Sequence, residues 1–168
     1  VNVLSVLSYH KLQDMNKLKE ALETLQKENP SAVARVPDVI PAWLGLQAYG
    51  MKDLETADKY MTWATQNDQL QNVKKVIWRN LAKVRLALRK YDRALVASNN
   101  FLKDEDQPYR RADGMLDKAS ILLGLGKYAD ARKTAEEALA LGVEGPLMAS
   151  LKIVLGDISY AEKKFDEA

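Results

Sequence analysis

Between Lys74 and Arg93 the chain sets eight cations (Lys74, Lys75, Arg79, Lys83, Arg85, Arg89, Lys90 and Arg93) against a single acid, Asp92. Arg79 and Lys83 are four residues apart, one turn on the same face of a helix. A guanidinium fork beside an ammonium is a pair suited to a carboxylate or an acidic peptide. Asp113 and Asp117, further along the chain, have the same spacing. They offer a second outcome, internal neutralisation that leaves surface ion pairs worth little. Nucleic acid is the competing occupant of such a basic helix and ranks low here, because Asp104 to Asp106 and Asp113 follow closely and the net charge is only +2.

Candidates for catalysis are weaker. His10 is the lone histidine, with Asp14 one turn away, and it cannot build a two-histidine metal site; it reads as a surface residue near one end of the chain. Gly124-Leu125-Gly126-Lys127 lacks the upstream glycine and the following Ser or Thr of a phosphate loop. Asp104, Glu105 and Asp106 read as a solvated connection. With no cysteine there is no disulfide, thiolate metal site or cysteine nucleophile, and the compartment is left open. The expectation is a chain that is not an enzyme, without cofactor or metal. The first residues lack the pattern of a signal peptide, and no apolar run approaches the roughly 20 residues of a membrane span.

The elements that would carry these residues are repetitive. Ala57, Ala94, Ala131 and Ala168 follow one another at a constant interval of 37, as do Leu54, Tyr91, Tyr128 and Phe165, and Gly45, Ala82, Ala119 and Gly156. A fixed period of this size is the mark of stacked supersecondary units. A looser copy contains Ala21. The units run 1–37, 38–74, 75–111, 112–148 and a partial 149–168, a single domain of about four and a half repeats. The last copy stops as its second helix should begin, so the natural chain is expected to continue.

Apolar residues at helical spacing give each unit two helices. Short joints at GMKD (from Gly50), LRK (from Leu88), GLGK (from Gly124) and AEKK (from Ala161) suit antiparallel hairpins. Longer polar stretches, NPSAVARVP, NDQLQN, KDEDQP and GVEGP, separate the units. The Gly and Ala columns place small side chains where paired helices cross closely, with Tyr91, Tyr128 and Phe165 beside them.

These columns resemble the tetratricopeptide repeat. Leu44-Gly45, Leu81-Ala82 and Leu155-Gly156 match its Leu-Gly element, Trp78 its early aromatic, and Gly126-Lys127-Tyr128 its joint; the period of 37 exceeds the family's 34. The resemblance implies an all-α, right-handed solenoid of stacked antiparallel hairpins. It also implies a protein-interaction scaffold whose first helices line a concave groove. Carried onto this sequence, the groove takes Val39, Ala42, Leu46 and Tyr49 from one unit, Val76, Arg79, Lys83 and Leu86 from the next, then Asp113, Leu116, Ser120 and Leu123, and finally Ser150, Ile153, Asp157 and Tyr160. The implied ligand is a protein or peptide segment, with acidic groups for Arg79 and Lys83 and apolar ones for Tyr49, Leu86, Leu116 and Tyr160. The competing expectation is a structural or self-associating module of a larger enzyme or membrane-anchored protein.

Overall fold

Asn2, Asp14, Asn29 and Asp53 each turn a side-chain oxygen onto the backbone N–H three residues later, at 3.0 to 3.3 Å, which starts four of the helices. The computed structural model describes residues 1–66 and 73–166, with the side chains of 164–166 outside the description. Among the described residues it holds ten helices and no strand, an all-α helical repeat. The NDQLQN connection and Ala168 lie outside the described residues, as does the side chain of Phe165. The chain divides into two compact units, Val1–Ile77 and Trp78–Ala168.

The first unit contains α1 (Val3–Lys11), α2 (Met15–Glu28), α3 (Pro30–Val33), α4 (Val39–Gly50), α5 (Leu54–Ala64) and the first turn of α6 (Lys74–Ala87). Val6, Leu18, Leu22, Leu25, Ile40, Leu44 and Tyr60 form its buried core. The NPSAVARVP stretch is more than a polar connection. Pro30 opens the short α3, and Ala32 and Val36 join the core.

The second unit contains the rest of α6, then α7 (Tyr91–Leu102), α8 (Pro108–Gly124), α9 (Tyr128–Leu139) and α10 (Gly145–Asp166). The inner face of α9 is methyl groups: Ala131, Ala135 and Ala138 are all fully buried. Ala135 and Ala138 pack with Met115, Ala119, Leu147 and Leu151, while Ala131 packs with Leu122 and Ile158, so the flat face lies between α8 and α10. Small side chains there let three helices come together at the short separations that larger ones forbid. Across α9 and α10, Arg132 donates to Ser159 at 3.0 Å and to Glu162 at 2.6 Å.

Three hairpins share one joint. Lys52, Arg89 and Gly126 all adopt the left-handed conformation, with φ of 62°, 57° and 71°. In each joint the next N–H returns to a carbonyl five residues back: Asp53 to Ala48, Lys90 to Arg85 and Lys127 to Leu122, at 2.8 to 2.9 Å. That is a Schellman closure, and it recurs at the 37-residue interval. A looser version closes α1, with Gln13 at φ 55° and Asp14 N–H on Tyr9 O at 3.1 Å.

The Ala column is buried as expected at Ala57, Ala94 and Ala131. The Gly/Ala column is buried at Gly45, Ala82 and Ala119, but Gly156 is exposed and a Cβ there would meet nothing within 4 Å. The expected joint at Ala161–Lys164 is also absent, because α10 continues through it. Ala-Glu-Lys-Lys holds only strong helix formers, with no glycine, proline or capping residue to stop the helix. One close approach was not visible in the columns: the Phe101 ring occupies the space a side chain at Gly114 would need.

Candidate functional site

Helix α6 carries Arg79 and Lys83 on one face because they lie one turn apart, and α8 brings Asp113 and Asp117 opposite them by the same spacing. Arg79 pairs with Asp113, and Lys83 reaches Asp117 at 3.4 Å and Asp113 at 3.9 Å. Two cations thus face two carboxylates across the α6–α8 contact. The internal-neutralisation outcome is the one found, and an incoming carboxylate would have to displace one already in place.

The network is only partly wet. Burial pushes the Asp117 carboxyl up to about 6; Lys83 opposes the shift, Asp113 adds to it, and Arg79 opposes it more weakly. The Arg79 Nε is buried without a hydrogen-bond partner among the described residues, so the guanidinium is held by its Asp113 end.

Further along α8, Leu116 is half-buried against the core cluster of Phe101, Met115 and Leu151. The Ser120 hydroxyl donates to the Leu116 carbonyl at 3.1 Å, a local bond within the helix. Leu86 is half-buried on α6, and Tyr49 is half-buried on α4 in the other unit. Asp157 and Tyr160 are exposed on α10, in one stripe with exposed Ile153. The candidate residues therefore form an engaged charge cluster on α6 and α8 and an open stripe on α10.

Three side chains depart from the sequence reading. His10 is half-buried, its ring edge-on to Trp43 with centroids 5.4 Å apart, and is a packing residue of the first unit. Arg85, counted among the basic run, is buried and donates to the Arg93 carbonyl at 3.2 Å. Glu105 is buried as well, whereas Asp104 and Asp106 are exposed. Its Oε1 accepts from Gln107 N–H at 3.2 Å and Oε2 lies 3.4 Å from Arg110. Arg111 donates to the carbonyls of Leu102 and Glu105, both at 3.0 Å. The KDEDQP connection is a built turn in which the Glu105 side chain takes the Gln107 N–H and its carbonyl takes Arg111.

Among the described residues, no group of three His, Cys, Asp or Glu is placed to hold a metal ion, and no helix is long and apolar enough to cross a membrane. No curated protein matches the chain. Residues 116–168, which hold most of α8 with α9 and α10, match the family model for the tetratricopeptide repeat, whose members generally mediate protein–protein interaction and are typically non-catalytic. Over that stretch the chain is similar to the tetratricopeptide repeat, and the buried alanine column and the recurring hairpin joint extend the same helical-repeat architecture to earlier hairpins.

Proposed function

We propose that the chain is a non-catalytic scaffold that seats a segment of a partner protein on the faces of the first helices of its second unit, α6, α8 and α10. The observation that supports this best is on α10. Ile153 and Tyr160 are 64 % and 62 % exposed, two turns apart, with Asp157 between them, while Leu147, Leu151 and Ile158 bury the opposite side. A large aliphatic and an aromatic residue on one exposed stripe lose unfavourable hydration when covered, on the order of 2 kcal/mol for each side chain. Leu86 and Leu116, half-buried on α6 and α8, extend the apolar character. Acidic groups on the partner are a weaker part of this reading, because Arg79 and Lys83 already face Asp113 and Asp117.

Selection of a displayed peptide library on the wild-type chain, followed by binding to Ile153→Glu/Tyr160→Ala, tests the reading. Selected peptides should bind the variant about tenfold or more weakly. Equal binding removes the stripe from the account. A mass in light scattering that rises with concentration for wild type, and not for the variant, assigns the stripe to self-association instead.

A further inference from the structure

Two cations of the basic run, Arg89 and Arg93, lie at the α6–α7 joint and on the first turn of α7, off the first helices. Arg89 and Arg93 are exposed and make no ion pair among the described residues. They rim an open hollow of about 500 Å³ at the α6–α7 joint, with Tyr91 and Leu125 in its wall. The Tyr91 ring is fixed there by lying in the space a side chain at Gly124 would take. A second hollow, of about 320 Å³, lies further along α7, between it and α8 and α9. Its wall includes Leu95 and Leu122, and Lys118 and Lys127 stand over it with no ion pair among the described residues. Asp92 in the first hollow, and Asp130 and Glu137 in the second, are the local acids, and Glu137 is 4.0 Å from Lys133.

We infer that this groove between α7 and α9 is a second docking site, on the second helices of the hairpins, for an extended acidic segment of a partner protein. Charge complementarity carries the choice of occupant: four cations without an ion pair among the described residues line a path that is mostly apolar in the first hollow and mostly polar in the second. From Tyr91 to Asn99 the groove follows α7 for eight residues, about 12 Å of helix, which an extended peptide covers in roughly four residues. Carboxylates on such a segment meet Arg89, Arg93 and Lys127 towards the Tyr91 end and Lys118 towards the Asn99 end, while its aliphatic portions lie over Leu95, Leu122 and Leu125. The site uses none of the residues of the α10 stripe, so the two readings stand or fall separately.

Fluorescence anisotropy with a labelled peptide of about ten glutamates, and with a single-stranded oligonucleotide of similar charge, tests the site. The variant Arg89→Glu/Arg93→Glu/Lys118→Glu/Lys127→Glu should bind the peptide at least about tenfold more weakly. The variant Lys11→Glu/Lys27→Glu/Arg35→Glu/Lys152→Glu changes the net charge equally and should lose less than about twofold. Should the first variant melt below the measuring temperature by circular dichroism, the milder Arg93→Gln/Lys127→Gln serves, with an expected loss of about threefold. Equal losses in groove and control variants overturn the site, and so does tighter wild-type binding of the oligonucleotide than of the peptide. Ile153→Glu/Tyr160→Ala should leave peptide binding unchanged.

Discussion

Gly45 on α4 lies so close to Met61 on α5 that a Cβ built on the glycine would stand 2.7 Å from Met61 Cγ and 2.9 Å from Met61 N. The nearest groups include backbone, which cannot swing aside. Gly45→Ala therefore has two opposed effects, a helix-propensity gain of about 1 kcal/mol and an overpacking cost of about 1–3 kcal/mol, and the second should win. Gly156 is three intervals of 37 further on and has open space around it. There only the propensity effect acts, and Gly156→Ala should stabilise by up to about 1 kcal/mol. Urea unfolding of the two variants checks the contrast; the same sign of change in both would show that the column does not mark a helix crossing.

The recurring joint makes a second prediction. Lys52 holds a left-handed conformation that costs a side-chain-bearing residue about 1 kcal/mol relative to glycine, and Gly126 is the one joint of the three that avoids this cost. Lys52→Gly should raise stability by up to about that amount. The next residue also differs among the joints. Asp53 caps α5, and the Thr56 hydroxyl, with the Thr56 N–H, holds its carboxyl below the usual carboxylate range. Lys127 stands at the same place before α9 and makes no side-chain cap. Lys127→Asp should add a cap worth about 1 kcal/mol, and thermal melts near neutral pH read both changes.

Much of the fold was legible because it depends on side-chain volume. Ala57, Ala94 and Ala131 are small where larger residues would not fit, and their spacing survives in the sequence. The joints at Lys52 and Arg89 were illegible as left-handed turns, since neither residue type marks that conformation and the hydrogen bonds closing them are backbone to backbone. Glu105 looked solvated beside Asp104 and Asp106 because its burial depends on where Arg110, Arg111 and the Gln107 N–H come to lie. For the charge cluster, the residues and their alternatives were visible. Which alternative held depended on the α6–α8 contact, which brings Arg79 to a carboxylate 34 positions away.

Tyr60 gives a prediction in which removing a polar group helps. Its side chain is fully buried in the first unit's core, its ring stacks near Trp63 with centroids 6.2 Å apart, and its hydroxyl has no hydrogen-bond partner among the described residues. Burial pushes the hydroxyl's pKa well above the ordinary phenol range, so it remains neutral at any working pH. Tyr60→Phe keeps the ring and deletes a buried donor that lost its water on folding. The variant should be more stable by about 1 kcal/mol, read as a higher urea midpoint. A loss of that size would mean the hydroxyl is satisfied in solution.

Asp117 makes stability depend on pH in the opposite direction from a normally paired carboxylate. Its folded-state pKa, about 6, lies above the ordinary value of 3.8, with burial the main cause and Lys83, Asp113 and Arg79 the charges that face it. Between those values the folded chain holds a proton that the unfolded chain releases. The stabilisation from protonated Asp117 is therefore complete below about pH 4 and is lost as pH rises through 6, up to an order-of-magnitude total of about 3 kcal/mol. Asp117→Asn removes this titration while Lys83 keeps Asp113 at 3.9 Å. Relative to wild type, the variant should gain stability steadily from pH 4 to pH 7.5. Paired urea titrations at the two pH values measure the difference directly. If the variant instead loses ground as pH rises, the Lys83 contact outweighs burial, and Asp117 is an ordinary ion-pair partner whose folded pKa lies below that of the unfolded chain.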